Sequence, residues 1–186
     1  MMINWGKSLA ELLKTEGGFQ DDPLDPGNHL PDGRPGCTNL GVTQRAWELY
    51  VGRQVTHDEM RALNPAMVGP FYRIKYWNPV KGDALPTGVD YLTFDLAVNG
   101  GPARAAMTLQ QALGINADGV IGSQTTNTAS LADPADTIKK FTDVKCAFYK
   151  SLNNPRFETG WVNRAKQVEA FALSMLAADA AAKVLR

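Results

Sequence analysis

The chain has 186 residues, with 19 lysines and arginines against 19 aspartates and glutamates, so its formal charge is zero. That length supports one good core, or a core with a small appended domain. Balanced charge without a basic run argues against nucleic-acid binding and membrane-surface attraction, and no stretch approaches the ~20 apolar residues of a bilayer span.

Lys7, Glu11 and Lys14 interrupt any apolar run near the start, so no signal peptide is expected and the chain is read as cytoplasmic. The first helix is expected over Asn4 to Glu16. Trp5, Leu9, Leu12 and Glu16 recur at helical spacing, which aligns a carboxylate with an apolar stripe at the last turn. Gly17-Gly18 should then let the chain leave through backbone angles other residues avoid. Residues 20–38 are broken by Asp, Pro and Gly and read as an extended loop or irregular hairpin.

Thr43 is a cap for a helix that turns Ala46, Trp47 and Tyr50 inward. Thr56 with Glu59 makes a capping box for a short helix through Leu63. Pro65 and Pro70 are expected to divide the next helical stretch, which ends at Tyr76-Trp77-Asn78-Pro79, and 78–88 is a connection. Val89 to Asn99 is apolar nearly all round and reads as a buried central helix closed by Gly100-Gly101. Pro102 opens a helix that closes at Gly114. Asp133-Pro134 opens another, with Ile138, Phe141, Val144 and Phe148 inward, and a long helix covers about Glu158 to Val184.

The fold class is therefore mainly α, with one small irregular β region after the first helix. Two lobes are expected, 1–88 and 89–186, sharing the core helix 89–99. His29, His57, Cys37 and Cys146 match no metal-ligand spacing, and the cysteines are expected as two buried thiols rather than a disulfide.

Glycoside hydrolysis needs a protonated acid and a second polar group that holds water or stabilises the oxocarbenium-like transition state. A carboxylic acid held against apolar side chains has a raised pKa, which suits Glu16 as the acid. Asp25, in a wet loop, should stay ionised, and Thr38 offers a hydroxyl to orient water. The bland readings are an Asx-turn cap for Asp25 and an ordinary strand residue for Thr38. Tyr76 and Trp77 are either core aromatics or a sugar-cleft lining. Asp95 and Asn99, one turn apart on an apolar helix, either close a helix-end network or bond a ligand. Arg156 and Arg164 beside Trp161 could meet an anionic glycan or peptide, or form structural salt bridges.

The order Glu16-Gly17-Gly18-Phe19, Asp22-Pro23, Asp25-Pro26-Gly27 and Thr38-Asn39-Leu40-Gly41-Val42-Thr43 resembles glycoside hydrolase family 108. These are lysozyme-like muramidases of phages and prophages. The likeness continues through Tyr76-Trp77, Asp95 to Gly101, Leu109 to Gly114, Asp118 to Gly122 and Phe157 to Arg164, the latter half resembling the peptidoglycan-binding domain that accompanies the family. One departure stands out: twelve residues separate Asp25 from Thr38, where the family has a shorter interval. Asp21, Asp22 or Asp32 could then take the second acid's place.

The resemblance implies a lysozyme-like helical fold and an endolysin-type N-acetylmuramidase. It would cleave the β-1,4 bond between N-acetylmuramic acid and N-acetylglucosamine, with Glu16, Asp25 and Thr38 as catalytic residues and Tyr76, Trp77 and Asn99 as substrate contacts. It implies no cofactor and no metal. Peptidoglycan is the partner, a holin gives access to it, nucleic acid and membrane insertion play no part, and the chain acts as a monomer. A lytic transglycosylase and a non-catalytic wall-binding or secretion-accessory module are the rival readings.

Overall fold

A computed structural model describes residues 3–184. Nine α-helices run in order among the described residues: α1 Ile3–Thr15, α2 Gln44–Val51, α3 His57–Arg61, α4 Pro65–Tyr72, α5 Val89–Gly100, α6 Pro102–Ala112, α7 Ser123–Leu131, α8 Pro134–Ser151 and α9 Pro155–Val184. The sheet is a two-residue hairpin, β1 Thr38–Asn39 antiparallel to β2 Val42–Thr43, with Thr38 opposite Thr43. Contacts divide the chain into two compact units, one of residues 6–74 and one that joins residues 75–184 with the first residues of α1.

In the smaller unit, local capping sets the helix starts. The Thr43 side chain accepts from Ala46 N–H, and Asn64 caps α4 ahead of Pro65. Thr56 and Glu59 bond each other's backbone N–H groups in a reciprocal capping box. Pro70 does not divide the next stretch. It lies inside α4, which passes directly into a π-helical turn over Arg73–Trp77. The core gathers Leu12, Val42, Trp47, Met60, Val68, Phe71 and Tyr72. Asn39 ties the hairpin to α3 through the carbonyl of Met60 at 2.8 Å.

Cys37 and Cys146 are both free thiols, the first buried and the second half-buried. Burial pushes the Cys37 thiol up to about 11.

The larger unit is built on α5. Every residue from Val89 to Ala97 is buried, as the all-round apolar pattern requires. Helix α5 packs on α6 and α9, and α8 packs on α6 and α9. The unit begins at Lys75 rather than near residue 88, because Val80 and Leu85 belong to the core cluster around α5 and Trp77 stacks edge-on against Phe94. Helix α9 starts at Pro155, three residues before the sequence reading placed it.

Candidate active site

Glu16 stands one residue beyond the end of α1 and is half-buried. Its surroundings come from the β1–β2 turn. Leu40 and Gly41 both adopt left-handed backbone there, with φ of 50° and 71°. A Cβ placed on Gly41 would strike the Glu16 carboxylate and come within 2.6 Å of the Tyr72 hydroxyl. The buried Tyr72 hydroxyl donates to the Leu40 carbonyl at 2.8 Å. Gly41 is thus required twice, by its φ and by the carboxylate resting on its Cα.

Gly17 and Gly18 behave differently from expectation. Neither has a positive φ, and a Cβ on either would meet nothing within 4 Å. What they supply next to Glu16 is open space.

Thr38 begins the same hairpin and bridges to Gln20 by two backbone hydrogen bonds, Gln20 N–H to Thr38 O at 2.9 Å and Thr38 N–H to Gln20 O at 2.8 Å. Asp25 caps a 3-10 turn over Pro26–Asn28, and its Oδ1 accepts from Gly27 N–H at 2.8 Å, which is the expected Asx geometry. Its other oxygen, Oδ2, accepts from the Gln20 amide at 2.6 Å. Gln20 Oε1 in turn accepts from Asn28 Nδ2 at 2.6 Å, and Asn28 Oδ1 accepts from the Thr38 hydroxyl at 3.0 Å. A single side-chain relay therefore runs Thr38–Asn28–Gln20–Asp25. The amide N–H groups of Gln20 and Asn28 can only donate, so every bond in the relay runs from Thr38 towards Asp25, which accepts at its end.

Gln20 and Asn28 were missed in the sequence reading. An amide pair in a Pro/Gly-rich loop carries no motif, and only folding shows that Asn28 is 2% exposed.

The long Asp25–Thr38 interval turns out to be a closed excursion. Gly36 N–H returns to the Asn28 carbonyl at 2.7 Å, His29 pairs with Pro35, and Leu30 N–H bonds Arg34 O. Arg34 then grips Asp32 at 2.7 Å and both oxygens of Glu48 at 3.1 and 3.0 Å. Those contacts hold both carboxylates, Asp32 and Glu48, below the usual range, with the Arg34 hydrogen bond as the leading cause in each. Asp32 is therefore committed to the excursion. Asp22 is spent on a turn, accepting from Leu24 N–H, and Asp21 is exposed. Among these loop acids, Asp25 is the one the relay connects to Thr38.

The larger unit places the other candidates. Trp77 has no exposed surface, donates its indole N–H to Asp83 at 3.1 Å, and packs against Trp5 and Phe94. Its expected place on a cleft wall is corrected to the core, because a sealed indole has no face to offer a sugar. Tyr76 is half-buried against the same core. Asp95 is 1% exposed and holds Lys145 at 2.9 Å and Arg164 at 3.1 Å, so both Asp95 and Arg164 serve a structural ion triad. Asn99 is exposed and turns its amide N–H back to the Asp95 carbonyl at 2.7 Å.

In the Leu109–Gly122 segment, the Gln110 amide group donates to Asp118, Val120 O and Thr125, and its carbonyl accepts from Gly119 N–H. The shared motif there staples a turn. Among the described residues no three His, Cys, Asp or Glu side chains cluster as a metal site, and no helix is long and apolar enough to cross a membrane.

With this geometry in place, the comparisons with known proteins agree on one class. Residues 9–101 match the glycosyl hydrolase 108 model, and residues 104–166 match a predicted peptidoglycan domain. The solved "Structure of Brucella abortus SagA" superposes with a TM-score of 0.77 at 35% identity, covering 94% of this chain and 97% of that one. No curated protein matches. The fold is thus a mainly α, lysozyme-like one, and the protein is a glycoside hydrolase acting on peptidoglycan. The chain belongs to the glycosyl hydrolase 108 family.

Proposed function

We propose that this protein is an N-acetylmuramidase that hydrolyses the β-1,4 bond between N-acetylmuramic acid and N-acetylglucosamine. The observation that carries this reading is the convergence of Glu16 and Thr38 on one hairpin, with Asp25 tied to Thr38 through Gln20 and Asn28. Glu16 donates its proton to the leaving glycosidic oxygen.

Asn28 consumes the only proton of the Thr38 hydroxyl, so towards water Thr38 can act only as an acceptor. Asp25 and Thr38 position the attacking water or stabilise the developing positive charge, and as the water oxygen bonds the anomeric carbon its proton passes to the Asp25 carboxylate, balancing the one Glu16 gives to the leaving oxygen. No metal or cofactor is needed, because side chains supply both the proton and the oriented water. Tyr76 and Asn99 are the remaining candidates for sugar contacts on the larger unit.

The biological role proposed is that of a phage or prophage endolysin. It would be held in the cytoplasm as a monomer until a holin opens the way to the wall. Lysis of a host strain with and without a co-expressed holin tests that role separately from the chemistry.

Purified protein should clear suspensions of bacterial wall and release new reducing ends. Glu16→Gln should lose at least about a hundredfold in rate, the lower end of a general-acid contribution. Full activity in that variant sinks the mechanism, and muropeptides ending in anhydro sugars in place of reducing ends would mark a transglycosylase.

A further inference from the structure

The family match says that the larger unit concerns peptidoglycan but points to no surface. One surface has the right chemistry. Along α8 and the start of α9 the aromatic rings form a continuous run. Phe157 stacks on Trp161 with centroids 5.8 Å apart and planes 23° from parallel. Trp161 meets Tyr149 at 5.5 Å, and Tyr149 meets Phe148 at 6.0 Å. A guanidinium covers each end: Arg156 lies 5.2 Å from the Phe157 centroid and Arg104, from α6, 4.2 Å from that of Phe148.

This run is open at its α9 end, where Phe157 is 47% exposed. Trp161 and Tyr149 are half-buried, which fixes their rings. Large apolar side chains grouped on a surface mark a binding site more often than a lone exposed one does. Aromatics with Arg are also the residues that carry most binding energy.

The charge nearby selects the ligand. Residues 145–166 hold Lys145, Lys150, Arg156, Arg164 and Lys166 against one carboxylate, Glu158. Lys145 and Arg164 are spent on Asp95, and Lys166 on Glu169. Arg104 and Arg156 lie over the rings, and Lys150 follows Tyr149 in the chain.

We propose that Phe148, Tyr149, Trp161 and Phe157, with Arg104 and Arg156 at the two ends, form a binding surface for an anionic glycan strand. The rings take the apolar faces of N-acetylated sugars. The guanidiniums take carboxylates of the lactyl groups and peptide stems, which planar Arg pairs bidentately. The proposal rests on the peptidoglycan reading but is independent of the Glu16 mechanism.

The test is co-sedimentation of the full chain with purified sacculi, in a Glu16→Gln background so that the wall is not consumed. Trp161→Ala with Phe157→Ala should weaken binding at least about tenfold, as expected for loss of aromatic anchors. Arg104→Ala with Arg156→Ala should weaken binding to sacculi and abolish most of its salt dependence. The arginine pair should change nothing on chitin, an uncharged N-acetylglucosamine polymer.

Phe157→Ala alone removes an exposed ring, so its effect is readable even if the Trp161 variant melts early. In an otherwise wild-type chain these variants should keep their rate on a short soluble oligosaccharide. Unchanged sedimentation of the Phe157 and arginine variants overturns the proposal. So does unchanged sedimentation accompanied by loss of self-association, which would make the patch a contact between copies. Loss of soluble-substrate hydrolysis in Glu16→Gln alone, with binding intact, bears on the catalytic reading and leaves this one standing.

Discussion

At the scale of single residues, the candidate site is framed by side chains that hold one another. Asn28 gives two hydrogen bonds, to Gln20 and to the Asp22 carbonyl, and takes one from Thr38, all from a buried position. Asn28→Ala would strand the Thr38 hydroxyl and leave the Gln20 carbonyl with Asp22 N–H as its one remaining donor among these contacts. A buried polar group left without a partner costs about 1–3 kcal/mol, which urea denaturation would register. Asn28 is a positioning residue, so the variant should also lower kcat well before it raises KM, measured on wall fragments at a temperature where it is folded. A purely structural Asn28 would change the unfolding midpoint and leave kcat of the folded fraction intact.

These contacts also mark the limit of what the sequence discloses. Glu16, Asp25 and Thr38 stand out as candidates because each belongs to a short motif. Gln20 and Asn28 do not, because their role arises from amides eight residues apart meeting across a fold. Trp77 shows the same limit from the other side. Sequence cannot tell an aromatic on a cleft from one sealed by Trp5 and Phe94, since both packings suit the same residue.

At the scale of elements, most helix starts were local problems. Thr43, Thr56 with Glu59, and Asp133-Pro134 each cap their own helix within a few residues, so the chain announces them. The exceptions need tertiary information. The π turn over Arg73–Trp77 follows an α4 that contains Pro70, and no sequence signal distinguishes that path from a break. Helix α5 is held by more than its apolar surface: Asp95 joins it to α8 through Lys145 and to α9 through Arg164.

Removing one partner of a buried ion group leaves an uncompensated charge. Asp95→Ala should therefore destabilise the larger unit by about 3–5 kcal/mol. Replacing Asp95 and Lys145 together by apolar residues of similar size should recover much of that loss. Equal destabilisation of the single and double variants in urea would show that packing, rather than the stranded lysine, sets the cost.

At the scale of the whole molecule, stability against pH is the sum of opposing groups. Glu48, Glu59, Asp32 and Asp118 are all held below the ordinary carboxylate range, chiefly by hydrogen bonds, with Glu59 at about 2. Their contribution is present above the unfolded carboxylate value and fades as pH falls through the folded one. Asp90 runs the other way. Burial raises it to about 6, against hydrogen bonds from Asn4, Tyr91 N–H and Gly88 N–H that pull it down.

A raised carboxyl stabilises fully below the unfolded value of about 4 and loses that contribution as pH climbs through about 6. Asp90→Asn should therefore flatten the difference in unfolding free energy across that interval. Thermal melts of both proteins from pH 4 to pH 7 would check it, and parallel curves would remove Asp90 from the account.

The excursion between Asn28 and Gly36 bears on how this enzyme tolerates change. Its neck is closed by the Asn28–Gly36 hydrogen bond and the His29–Pro35 bridge, and Asn28, at the neck itself, also holds Thr38. Beyond the neck, Leu30 is buried and Arg34 is tied to Glu48, so a change of length is expected to be tolerated at the exposed tip, residues 31–33, where it would leave the neck in place. Distance along the sequence and distance in space are thus uncoupled between Asp25 and Thr38.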